Sequence, residues 1–424
     1  MFDRKSQPVF KTKEDIEIKK IKKINLKGNL PFYILDSGDQ DIIKIDFIFK
    51  AGKIYDKNPL LAEITNSLSI KGTERLSSEK ISNTFDYYGS YIETDIGKDE
   101  ASITLYCLNK YFKESFNLLT EILFNANFPQ NEIDIFLKNE YQIWLINRQK
   151  TDIISSELFT ETIFNAHSYG RIVKKEDFNS ISKENIISFF NSYYKPENMT
   201  ILLSGKIQDN HILSIENFIS SLTFSEFMVN NLLSFETEKY TKEHIFQPIK
   251  NSVQSSVRIG KLTINRLHPD FYNLNFACVI LGGYFGSRLM TNIREEKGYT
   301  YGIYSGNVSY LNAGYFLISA ESGKNVYKNA LKEIYKELKL LRTVPVSQDE
   351  LVRVKNWFFG NILRIFDGPL ALSEAYKSLI SYNSTSDFFL NYFSAVQNIS
   401  SETILETADK YLQENDMTEV VSGA

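Results

Sequence analysis

The two halves of this chain end on the same run of residues. Met199-Thr200-Ile201-Leu202-Leu203-Ser204-Gly205 returns 218 residues later as Met417-Thr418-Glu419-Val420-Val421-Ser422-Gly423. The preceding segments keep that register at Ile181 and Ile399, Ser182 and Ser400, Glu184 and Glu402, Ile186 and Ile404, and Tyr193 and Tyr411. Further upstream, Phe128-Pro129 leading to Lys138-Asn139 is matched by Val344-Pro345 leading to Lys355-Asn356, at offsets of 216 and 217. The copies therefore differ by small insertions. A self-match on this scale constrains the fold more than any single motif, because each copy must build the same unit.

Both copies read strand, helix, helix, strand, helix, helix, strand. In the first, Ile42 to Phe49 partly alternates like a half-buried strand, Pro59 opens a helix that Gly72 ends, Ala101 to Cys107 is a strand, and Tyr111 to Leu123 repeats apolar residues at helical spacing. In the second, Val257 to Ile264 and Tyr315 to Ala320 are the matching strands. Val326 to Leu341 is a helix with an apolar stripe at Ala330, Leu331, Ile334 and Leu338. Strands alternating with helix pairs predict an α+β fold of two similar duplicated halves. Thr223 to Pro248, rich in Glu, Thr, Asn and Ser without clear period, reads as a linker. The expected division is 1–222, 223–248 and 249–424, and 424 residues suffice for two cores.

Charge and residue counts exclude several functions. A net charge of −4 offers no basic field for a phosphate backbone, which argues against nucleic acid. The dense basic run, Lys19 to Lys23, follows Glu14, Asp15 and Glu17 and reads as a solvated strand edge. Cys107 and Cys278 lie in separate apolar runs and read as buried packing residues, not as a disulfide or metal pair. The polar stretch Met1 to Pro8 lacks the apolar region of a signal peptide, and no stretch approaches eighteen apolar residues, so a cytoplasmic location without a membrane span is expected. His167, His211, His244 and His268 are separated by 44, 33 and 24 residues, which leaves no helical i,i+4 ligand pair. Gly282-Gly283-Tyr284-Phe285-Gly286 lacks the pattern of a dinucleotide or phosphate loop and reads as a tight turn before a helix.

Two segments point to one family. Gly286-Ser287-Arg288-Leu289 continues through Ile293-Arg294-Glu295-Glu296-Lys297-Gly298 to Tyr299-Thr300-Tyr301-Gly302, and Ala62 to Thr73 ends in Lys71-Gly72-Thr73. Together they resemble the pitrilysin/insulinase-type zinc peptidases over nearly the whole chain. The resemblance implies mostly antiparallel sheets flanked by helices and a clamshell of the two halves. In that family the first long helix carries H-x-x-E-H, two zinc-binding His with a Glu that activates water, and a downstream Glu completes the site. Aligned on that frame, Glu63 and Ser67 stand where the two His belong, Asn66 where the base belongs, and the third-ligand position falls near Trp144. Neutral Asn66 cannot take a proton from water as a carboxylate does, so Glu63 and Glu140 would not by themselves make a working substitute.

The same resemblance makes Arg294 and Tyr301 substrate-binding residues. A guanidinium offers fixed donors to peptide carbonyls or a C-terminal carboxylate, and a phenol can donate to the oxyanion of a tetrahedral intermediate. Ser287 and Arg288 read as helix-cap and packing or surface residues, and His167 as structural. No catalytic or metal-binding residue is expected in this chain. Some members of the family divide the work between two chains, so the resemblance implies a non-catalytic substrate-binding subunit of a heterodimer. Zinc would sit on a homologous partner, the substrate would be a peptide or unfolded segment, and the chain alone would be inactive. The competing expectations are a structural or assembly subunit, and a homodimeric peptide-binding module.

Overall fold

The computed structural model describes residues 18–225, 242–384 and 386–423. Each copy builds one sheet. The first contains β1 (Lys22–Asn25), β2 (Pro31–Asp36), β3 (Ile42–Phe49), β4 (Tyr91–Ile96), β5 (Ala101–Leu108) and β6 (Met199–Gly205), in the order β1-β2-β6-β3-β5-β4. The second contains β7 (His244–Pro248), β8 (Gln254–Thr263), β9 (Thr300–Ser309), β10 (Gly314–Gly323) and β11 (Thr418–Gly423), in the order β7-β11-β8-β10-β9. Pairing is antiparallel except for β2 with β6 and β7 with β11. The matched runs that end the two copies are β6 and β11, each beside a parallel neighbour.

Helices α1 (Pro59–Leu68), α2 (Ser78–Tyr87), α3 (Phe112–Leu123), α4 (Gln130–Asn147), α5 (Thr151–Phe164), α6 (Lys175–Asn179), α7 (Lys183–Tyr193) and α8 (Asp209–Ser221) belong to the first copy. In the second are α9 (Phe271–Gly282), α10 (Tyr327–Thr343), α11 (Gln348–Ile365), α12 (Pro369–Ile380), α13 (Asp387–Asn398) and α14 (Ser401–Tyr411). Local chemistry sets their ends. Asn58 caps α1 through Leu60 N, with Pro59 at the first helical position; Ser77, Ser182, Ser347 and Ser400 cap α2, α7, α11 and α14. No helix among the described residues is long and apolar enough to cross a membrane.

Strand alternation places a core on each face of each sheet. On the first sheet Phe32, Ile34, Ile201 and Leu203 point into a core shared with α1, α3 and α7. Their neighbours Tyr33, Leu35 and Leu202 point the other way, onto Leu372, Tyr376 and Leu379 of α12. The second sheet does the converse: Val257 and Ile259 face α9 and α10, whereas Leu262 and Val420 face Phe159 and Ile163 of α5. Each copy thus lends the other one helix, and α5 and α12 begin 218 residues apart.

This exchange corrects the reading of β3 as a half-buried strand. Lys44 and Asp46 alternate with apolar residues, but α12 covers them and they are 1% and 0% exposed. Lys44 Nζ lies 2.6 Å from Asp46 and 2.7 Å from Glu374, while Lys377 and Thr104 complete the partners of Asp46. Ser204 donates to Ser373 on α12, and Ser155 on α5 pairs with Ser256. Ser155 and Ser373 are equivalent in the repeat. Both copies therefore use polar helix-to-sheet contacts whose groups find partners, as burial requires.

The linker reading also needs correction at its end. His244–Pro248 form β7, held parallel to β11, so the second sheet begins inside the stretch of featureless composition. A five-residue strand of mixed polarity (HIFQP) carries little periodic signal. The centre of that stretch, 226–241, lies outside the described residues. The basic run ends in β1, an edge strand, and both cysteines are buried.

Candidate functional site

Helix α1 brings Glu63, Asn66 and Ser67 against α4 and the end of β4. Asn66 is 1% exposed; its amide nitrogen donates to Asp95 O at 2.7 Å, and its oxygen accepts from the Tyr194 hydroxyl at 3.0 Å. The residue in the place of a general base is thus a structural tie between α1, β4 and α7. Glu63 is held by Lys53, whose Nζ lies 2.7 Å from Oε2. Glu140 on α4 feels the same pair: burial raises its carboxyl and Glu63 raises it further, with Lys53 opposing. Trp144 Nε1 donates to Val173 O at 3.1 Å, and its ring stacks on Tyr141.

These residues do not suit zinc. The Lys53 ammonium already pairs with Glu63, and neither the amide, the Ser67 hydroxyl nor the indole replaces imidazole as a donor. Among the described residues no group of three or more His, Cys, Asp and Glu is placed to hold a metal ion. Three of the four histidines serve turns instead. The Nδ1 atoms of His167, His211 and His268 accept from the backbone of Tyr169, Gln208 and Asp270.

Arg294 and Tyr301 lie at the entry to β9. The segment Met290–Glu296 is a π-helix, in which Lys297 N reaches back to Asn292 O at 3.2 Å. Such wide turns concentrate at functional sites because they re-aim side chains. Asn292 anchors the turn through Glu337 at 2.6 Å and Glu333 at 3.1 Å, both on α10. Gly298 then reverses the chain at φ 63°, a conformation costly for residues with a Cβ. The Arg294 guanidinium lies 4.7 Å from the centre of the exposed Phe285 ring and 3.2 Å from Glu295.

Tyr301 sits in a β-bulge. Ile303 pairs with Ala320 and Thr300 with Ser322, so Tyr301 and Gly302 together oppose Glu321. The corresponding pair in the first copy, β4 with β5, runs in regular register from Tyr91 to Ile96. The Thr300 hydroxyl accepts from Gly302 N and lies 2.6 Å from Glu321 O, fixing the irregularity. A bulge turns a side chain off the regular alternation, and Tyr301 is 87% exposed on an edge strand. No hydrogen bond joins Tyr301 to Arg294; the fold brings them to one end of the second sheet, both reaching solvent.

Neighbouring expectations fared differently. Arg288 makes a two-pronged ion pair with Glu350, both contacts 2.8 Å, which ties the turn to α11. Ser287 is no cap: its Oγ is buried without a hydrogen-bond partner. Lys53 and Thr300 carried no sequence signal, since each acts on a group brought near by folding.

Comparison with known proteins agrees with this architecture. Residues 35–176 match the family described as insulinase (peptidase family M16), and residues 180–357 match the peptidase M16 inactive domain. The chain is similar to the uncharacterized zinc protease YmxG of Bacillus subtilis, 23% identical over 81% of each chain. It is also similar to the non-peptidase homolog YmxG of Helicobacter pylori, 24% identical over 87% of this chain and 85% of that one. A Pseudomonas fluorescens structure described as a peptidase M16 inactive domain superposes with a TM-score of 0.87 at 21% identity, covering 95% of this chain and 98% of that one.

Proposed function

Since the chain belongs to the insulinase-type M16 peptidase family, we propose that it is the non-catalytic, substrate-binding subunit of a two-chain peptidase. A homologous partner carrying H-x-x-E-H holds the zinc, and the substrate is a peptide or unfolded segment. The observation that carries this reading is an asymmetry between the copies. In the first, Lys53 and Asn66 have filled the metal-site frame with ion-pair and hydrogen-bond partners; in the second, Tyr301 stands exposed in a bulge, without a hydrogen-bond partner among the described residues.

The chemistry assigned to this chain is binding and charge stabilisation. An extended peptide adds along the open edge of β9, where backbone groups give affinity without sequence preference. Arg294 receives a peptide carbonyl or terminal carboxylate, with Phe285 limiting its rotamers. The Tyr301 phenol donates to the oxygen that gains charge as the carbonyl is attacked. Zinc on the partner supplies the activated water.

The test is hydrolysis of a quenched fluorescent peptide by this chain with zinc, and by an equimolar mixture with its H-x-x-E-H homologue. Activity is expected only in the mixture. Tyr301→Phe is expected to lower kcat by about 10²-fold, as removal of one oxyanion donor does. Zinc-dependent hydrolysis by the chain alone would overturn the reading, and an inactive but verified complex would leave a scaffold in its place.

A further inference from the structure

The repeat places a second site in view. Helix α11 begins 218 residues after α4 and is its counterpart in the repeat. By its place after β8, α9 is the counterpart of α1. The corner that holds the Lys53–Glu63 pair in the first copy is therefore rebuilt in the second from apolar residues, and it is hollow. A cavity of about 720 Å³ opens between α9, α11, α12 and α13, walled by Phe271, Trp357, Phe388 and Tyr392. That volume lies within the range of small-molecule sites.

One wall is cationic. The Arg266 guanidinium lies 4.7 Å from the Tyr382 ring centre and 5.5 Å from that of Phe388, and one terminal nitrogen donates to Ser378 O at 3.0 Å. Among the described residues its Nε, which is buried, has no hydrogen-bond partner, and no carboxylate pairs with the guanidinium. Glu374, also at the cavity, is occupied by Lys44. Burial works against the Arg266 charge, with the Tyr382 phenol opposing. A half-buried cation without a counter-ion carries a desolvation cost, and an anion from outside would supply what the chain does not. The exposed Arg364 adds a second positive group at the rim, and the amides of Asn275 and Asn361 face the same space.

We infer that this cavity is a binding site for a carboxylate attached to an apolar chain or ring, with the carboxylate on Arg266 and the apolar part among the aromatic walls. Medium-chain fatty acids and a terminal aromatic amino acid with a free carboxylate share that chemistry. The site does not depend on the peptidase reading, since none of its residues belongs to the Arg294–Tyr301 segment.

Trp357 is in the wall, and the chain has one other tryptophan, Trp144. In a Trp144→Phe background, emission reports on the cavity alone. Decanoate and N-acetyl-phenylalanine are titrated in parallel, with decanol and N-acetyl-phenylalanine amide as uncharged controls. A saturable change is expected with at least one of the acids, weakened about tenfold or more by loss of the charge on either side, through the uncharged control or Arg266→Gln. Which acid binds identifies the source. Ala375→Phe, which fills the cavity and spares Arg266, is expected to abolish the change with an unaltered far-UV spectrum. No saturable response to either acid, equal binding of acid and uncharged control, or binding undiminished in both variants would each overturn the assignment.

Discussion

Asn66 illustrates how a residue in an active-site position becomes architecture. Both ends of its amide are engaged inside the first core, with Asp95 O and the Tyr194 hydroxyl. Asn66→Ala removes a buried donor and acceptor at once and strands those partners, so a loss of about 2 kcal/mol is expected in urea denaturation. Tyr301 has the opposite environment. Tyr301→Phe removes a hydroxyl that solvent already reaches, so its melting temperature is expected to match the wild type while activity of the mixture falls; a drop in both would mean a structural role. The Arg294–Tyr301 segment could be singled out in the sequence because its motif is contiguous. Lys53 was not, because its pairing with Glu63 spans a loop, and lysine there reads as ordinary surface.

At the scale of elements, β4 and β9 begin as copies and diverge by one bulge. Sequence could not register the extra residue at Tyr301, since Thr300 fixes it by reaching across to β10. The turn between β4 and β5 shows a different consequence of folding. Glu100 sits there beneath the end of α12, where burial pushes its carboxyl from 4.5 up to about 7 despite a hydrogen bond from Ser381. The folded chain therefore holds a proton that the unfolded chain has released between those values. Stability falls as pH rises through that window and stays reduced above it. Glu100→Gln removes the dependence, so its melting temperature is expected to exceed the wild type's more at about pH 8 than at about pH 5. An equal difference at both would place the titration elsewhere.

At the scale of the molecule, α5 and α12 make the halves interdependent. Without the second half, Tyr33, Leu35 and Leu202 lose the cover of Leu372, Tyr376 and Leu379. Each such side chain contributes about 1.5–3 kcal/mol by burial, and Lys44 and Asp46 would lose Glu374 and Lys377 as well. The whole chain is expected to melt in one transition, seen alike by circular dichroism and fluorescence, and residues 18–225 alone are expected to lack a cooperative melt. A sharp, independent transition in that fragment would show that the exchanged helices are not required.

Sequence by itself determined the duplication, the α+β class and the order of most elements. Each of these is written in local patterns or in the comparison of one segment with another. Tertiary structure alone decided that each copy's helix covers the other's sheet, that Lys44 and Asp46 are core residues, that Lys53 neutralises Glu63, and that the second copy encloses a cavity. Periodicity records which face of a segment is apolar but not which distant segment will meet it. Contacts between residues more than 200 positions apart, such as Lys44 with Glu374, exist only once the two copies have closed on each other.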